Sequence, residues 1–153
     1  MKVLNKAVVS VFVREGENLE EIQSTLESLI PLNLEKEKIQ LQRNSAKGCA
    51  EKKIAVLKIE LEKSRHTNAF MKHLLNKLTE EQEELLLNQE ESRLDDHLHF
   101  FIRLDKEKLL NKEYEITDSG NCFHIKLHIA AFPSKRKIAL KAIEKLLKGR
   151  VES

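Results

Sequence analysis

Two segments of this 153-residue chain alternate apolar and polar side chains with period two, and that alternation restricts the architecture more than any other feature of the sequence. The first is His97-Leu98-His99-Phe100-Phe101-Ile102-Arg103-Leu104, and the second is Cys122-Phe123-His124-Ile125-Lys126-Leu127-His128-Ile129-Ala130. A period of two belongs to extended strands with one covered and one wetted face. Phe100, Ile102 and Leu104 share the apolar face of the first, opposite His97, His99, Phe101 and Arg103. In the second, Phe123, Ile125, Leu127 and Ile129 oppose His124, Lys126 and His128. A sheet built this way needs an apolar cover on one side only.

The rest of the chain supplies that cover. Ala7 to Val13 is β-branched and nearly continuous in apolar character, as a central strand covered on most of its surface would be. Asn18 with Glu21 has capping-box spacing and opens a helix that Pro31 stops. Glu35 to Arg43 suits a strand with one face wet, and Asn44 to Gly48 has the composition of a hairpin loop. The partner strand, Lys53 to Leu61, places Ala55, Leu57, Ile59 and Leu61 on one face.

A helix over about Asn68 to Leu78 meets a second one at Thr79, where Thr79 and Gln82 form another capping box. After the first alternating segment Asp105 caps a helical turn, and Tyr114 to Thr117 reads as a brief strand. Ser134 is expected to cap the last helix and Gly149 to end it. The order βαββααβ(α)ββα implies an α+β fold: a two-layer sandwich, with a mainly antiparallel sheet and helices packed on one face. All four glycines and both prolines fall at element boundaries, so residues 1–153 are expected to form one domain.

A chain 41% hydrophobic and 34% charged is expected to fold rather than stay disordered. Its net charge of +2 provides no overall field for a polyanion, so any nucleic-acid footprint must be local. The charge is in fact uneven: Thr79 to Asp96 carries eight acidic residues and one basic one, whereas Lys135 to Arg150 carries seven basic and one acidic. Cys49 and Cys122 are far apart, which suits reduced thiols in a cytoplasmic protein, and no segment has the length of a membrane span.

Three patches could carry chemistry. The wetted sheet face would gather four histidines, Arg103, Lys126 and the aromatic Phe101, and cations interleaved with an aromatic can hold a phosphate backbone and stack a base. The same residues suit ordinary solubility. The start of the last helix gathers Lys135, Arg136 and Lys137 around unpartnered backbone N–H groups, as at a phosphate site, or as cations paired with the acidic segment. Arg43, Lys47, Lys52 and Lys53 surround the hairpin loop. The histidines lack a carboxylate or thiolate partner at metal-ligand spacing, and no nucleophile elbow or phosphate-cradling glycine loop occurs, so no metal, cofactor or catalytic residue is expected.

Several stretches carry a family likeness: Phe12-Val13-Arg14 before the helix that ends near Pro31, the Gly48 hairpin, Phe101-Ile102-Arg103-Leu104-Asp105-Lys106, and Ala131-Phe132-Pro133-Ser134-Lys135-Arg136. Over nearly its whole length the chain resembles small archaeal proteins predicted to bind RNA or to associate with the exosome. That resemblance implies a fold similar to the large-subunit ribosomal protein that binds 5S ribosomal RNA. It also implies RNA contacts at Arg103, Lys106, Lys135 and Arg136.

The expectation is therefore a non-catalytic protein that holds structured RNA by its phosphate backbone, through Arg103, Lys106, Lys126, Lys135, Arg136 and Lys137, with Phe101 stacking a base. It would serve as an accessory of RNA processing or ribosome-related assemblies. The alternative is a protein–protein interaction module or homodimer without nucleic acid.

Overall fold

The computed structural model describes residues 3–47 and 53–148. Five strands form one antiparallel sheet in the order β2-β3-β1-β5-β4: β1 (Leu4–Val13), β2 (Leu41–Lys47), β3 (Lys53–Leu61), β4 (His99–Asp105) and β5 (Cys122–Ile129). The helices are α1 (Leu19–Ser28), α2 (Ser64–Lys77), α3 (Glu80–Asn88), α4 (Glu90–Arg93), α5 (Lys106–Leu110) and α6 (Arg136–Lys148). The α+β sandwich expected from the alternation is the observed architecture.

The core follows from the strand periods. Ala7, Val9, Val11 and Val13 of β1, Leu57, Ile59 and Leu61 of β3, Phe100, Ile102 and Leu104 of β4, and Phe123, Ile125, Leu127 and Ile129 of β5 are all buried on one side. Against them lie Ile22 and Leu26 of α1, Phe70 and Leu74 of α2, Leu86 of α3, and Ala139, Ile143 and Leu147 of α6. Fully burying each large side chain stabilises the fold by about 1.5–3 kcal/mol. The register shifts between Leu4 and Lys6, and that bulge lets Leu4 as well as Ala7 face the core although they are three residues apart.

Local chemistry sets the helix starts. Asn18 accepts from the Glu21 N–H, Thr79 from the Gln82 N–H and Asp105 from the Lys108 N–H, each satisfying a donor that the helix leaves free.

Other expectations are corrected. Residues 34–40 are not strand: Asn33 accepts from the Lys36 N–H, the Ile39 N–H returns to the Leu34 carbonyl, and Lys38 sits at φ 57°. This polar side-chain turn displaces β2 to Leu41–Lys47, so the expected loop residues Asn44 to Lys47 are strand. His97 and Leu98 precede β4, because Asp95 accepts from the N–H groups of His97 and His99 and holds a turn there. Tyr114 to Thr117 makes a single bridge, Ile116 to Leu104, flanked by two backbone hydrogen bonds to β4. The hairpin tip with Gly48, Cys49 and Lys52, and the expected cap Gly149, lie outside the described residues.

Candidate nucleic-acid interface

The strands that bury one side chain in two into the core turn the alternate ones away from the helices, and the registers align them in rows. His99 stands opposite His128, and His128 opposite Lys6. In the next row Phe101 faces Lys126, then Val8, then Glu60. In the third, Arg103 faces His124, then Ser10, then Lys58. The sheet thus presents Phe101, Arg103 and Lys126 on one uncovered face, with rings close together: His99 to His128 at 5.0 Å between centroids and Phe101 to His124 at 5.3 Å.

The acids that reach this face are paired: Glu60 with Lys6 at 3.2 Å and Lys58 at 3.8 Å, Glu62 with Lys6 at 3.7 Å, and Asp95 with His99 at 3.2 Å. Lys126 is half-buried and, among the described residues, is in no ion pair. Burial, then the charges of Arg103 and Lys126, push the His124 imidazole below its ordinary range. Burial and the neighbours His99, Lys126 and Lys6 do the same to His128, against the pull of Asp95. Both rings thus take up a proton less readily than a free imidazole, and a bound anion would favour their charged form. A shallow depression of about 150 Å³, lined by Lys6, Lys58, Glu60, His99, Lys126 and His128, lies over the middle of the face.

At the β4 edge the face runs into a groove of about 480 Å³ beside α4, lined by Gln89, Ser92, Arg93, Phe101, Arg103, Asp118 and His124. Arg93 has only 10% of its side chain exposed; it donates to the Gln89 amide oxygen and the Phe101 carbonyl, and its remaining nitrogen stands 3.8 Å from Asp118. Arg103 is exposed and donates to the Asp118 carbonyl at 3.1 Å. Two guanidinium groups and the Phe101 ring therefore line one groove.

The other expected residues fall elsewhere. Lys106 is a correction: its side chain is 3% exposed, and its ammonium donates to the Phe12 carbonyl at 2.7 Å and to both Glu17 carboxylate oxygens. It has no surface to offer a phosphate. Burial raises the pKa of Glu17, but the Arg14 N–H and the Lys106 ammonium outweigh it and hold the carboxyl below its usual value.

Lys135 and Lys137 are exposed at the corner that follows β5, beyond the His128 end of the face rather than on it. Arg136 donates to the carbonyls of Leu94 and Glu91 and so ties the start of α6 to the α4–β4 connection. Ser134 is not the cap. Its hydroxyl donates to the Ala131 carbonyl, and Lys135 supplies the first carbonyl of α6, accepting from the Ala139 N–H.

Sequence reasoning missed Lys6, Lys58 and Arg93. The period-two pattern of β1 and β3 carries the signal for the two lysines, because it puts them with Val8, Ser10 and Glu60. Arg93 carries none, since its helix must first pack on β4. Among the described residues no three His, Cys, Asp or Glu side chains stand together as a metal site, and no helix is long and apolar enough to cross a membrane. Cys122 is buried, and burial pushes its thiol up.

A family model described as RNA binding matches residues 6–130, which span nearly all of the open face and stop short of the corner. A Pyrococcus abyssi protein named RNA-binding protein PAB1135 is 26% identical over 141 residues, 92% of each chain. Among solved structures, a protein from Archaeoglobus fulgidus superposes with a TM-score of 0.83 at 29% identity, covering 94% of this chain and 99% of its own. A second, from Methanothermobacter thermautotrophicus, gives 0.76 at 27% identity, with 95% and 99% covered.

Proposed function

This chain belongs to the RNA-binding family, and from that premise we propose that it is a non-catalytic RNA-binding protein that seats RNA on the open sheet face. The observation that carries the reading is the set of three aligned rows, in which Lys126, Arg103 and the histidines surround Phe101 and Lys126 is left without an ion pair among the described residues. Lys126, Arg103 and Lys58 hold phosphates, and Phe101, which lines the groove beside Arg93, stacks a base. Lys135 and Lys137 extend the contact beyond the end of β5. Arg136 positions them, since its guanidinium is occupied by backbone carbonyls.

The test is a salt titration of binding to a single-stranded oligoribonucleotide. Each phosphate contact adds about 0.7 to the slope of log K against log salt, so Arg103→Ala with Lys126→Ala lowers the slope by about 1.4. An unchanged slope and affinity would remove the sheet face from the reading. The finer assignment, an accessory of RNA processing or ribosome-related assemblies, rests on the family resemblance of the segments around Arg103 and Lys135. Crosslinking in native extract and sequencing the attached RNA distinguishes it from a protein-only interaction module.

A further inference from the structure

We propose that Phe132 is a stacking post for an unpaired base, a contact that rests on the RNA-binding reading above and extends it from backbone phosphates to a base. Phe132 is 98% exposed, whereas Phe70, Phe100 and Phe123 are fully buried, Phe101 is half-buried and Phe12 is 51% exposed. A ring so placed contributes nothing to the core.

Its surroundings select the occupant. The exposed large apolar residues among those described are Phe12, Leu85 and Phe132. Phe12 lies at the far end of β1 from Leu4, whose partner Ile129 ends β5 just before the corner, so about 26 Å of strand separates the two rings' positions. Leu85 is on α3. The three do not form a contiguous apolar patch of the kind that docks a protein.

What flanks Phe132 is charge. Lys135 and Lys137 are exposed and in no ion pair among the described residues, and no acid follows in α6 before Glu144. The post also has a fixed foot: Arg136 fastens the start of α6 to Leu94 and Glu91, and Ser134 donates back to Ala131. An exposed aromatic face followed within five residues by two unpaired, exposed cations is complementary to a ligand that carries both negative charge and flat π surfaces, which is the chemistry of a nucleotide. In a duplex the base faces are covered by their neighbours, so the ligand class is an unpaired or terminal nucleotide of the RNA. The family match ends at residue 130, so this contact lies beyond the matched segment.

The chain has no tryptophan, so Phe132→Trp gives a single indole whose fluorescence reports the site. It is titrated with a single-stranded oligoribonucleotide and with a blunt duplex of the same sequence. Saturable quenching by the single strand, absent or weaker with the duplex, is the expected result. Phe132→Ala and Phe132→Leu both weaken single-strand binding by about five- to a hundredfold. The melting temperature is unchanged, because the ring touches no core residue. If Phe132→Leu binds as tightly as the wild type, bulk rather than stacking is at work and the inference fails. If Phe132→Ala binds normally while Arg103→Ala with Lys126→Ala does not, the base contact falls and the sheet-face reading stands. If the wild type binds none of these RNAs, both fall. A dimer in light scattering that Phe132→Ala dissociates would assign the ring to a second copy instead.

Discussion

Lys106 and Lys126 are the same side chain put to opposite uses. Lys106 begins α5 and turns inward, where Glu17 and the Phe12 carbonyl consume its donors. Lys126 sits in mid-β5, on the side of the strand that no helix covers, with no acid within ion-pair distance among the described residues. A cation's availability is decided by which face of its element is covered. Charge counts along the chain do not reveal it. One region ties the β1–α1 turn to α5; the other stands ready for an anion brought from outside.

The contrast can be broken most forcefully at Lys106. Lys106→Met strands Glu17 and the Phe12 carbonyl in partly buried positions and should cost about 2 kcal/mol. In a chain of this length that lowers the melting temperature by about 4–8 °C, measured by calorimetry, while affinity for RNA stays as in the wild type. A loss of RNA binding at unchanged stability would put Lys106 in the interface after all. Glu17 adds a pH signature: its carboxyl is held low in the fold, so its stabilisation is present above the ordinary glutamate range and is lost as pH falls through the lowered value. Lys106→Met flattens that dependence.

The reverse pattern is expected on the face. Arg103→Ala with Lys126→Ala reduces RNA affinity about tenfold or more at low salt, with little change in melting temperature, because both side chains point away from the core.

A weaker effect is expected at the histidines. His124 is surrounded by Arg103, Lys126, Phe101 and Ser10, and His128 by His99, Asp95, Lys126 and Lys6. With folded values below the unfolded one, both bind protons less readily in the fold, so the free protein's stability falls as pH drops through about 6.5. Bound phosphate favours the protonated rings, so RNA affinity rises over the same interval. Stability and affinity thus move in opposite directions, and His124→Gln with His128→Gln flattens both, as melting and binding series from pH 7.5 to 5.5 will reveal.

The strands carrying Phe101 and Lys126 were legible because their apolar partners Phe100, Ile102, Ile125 and Leu127 mark the covered side. Asn18, Thr79 and Asp105 were legible as caps for a similar reason, since capping is decided within a few residues. Residues 34–40 were not. Ile39 and Leu41 alternate as in a strand, but a turn opened by Asn33 takes in Ile39 and leaves only Leu41 in β2, and Arg65 on α2 reaches across to Glu37. Lys106 was misread because its partner Glu17 is 89 residues away, and no local pattern announces a long-range ion pair. Phe132 was visible as a residue but not as an exposed one. Its exposure depends on where α6 docks.

The two borders of the sheet have different fates. Leu94 bridges to Phe100, and Glu115 to Thr117 lies along the other end of β4, so much of that border's hydrogen-bonding potential is used within the molecule. On the opposite side β2 pairs with β3 and with nothing further among the described residues. End-to-end stacking of copies into a fibre requires two open borders per copy. Through its sheet borders alone, a chain with one open border joins a single like copy edge to edge, and that pairing closes after one step.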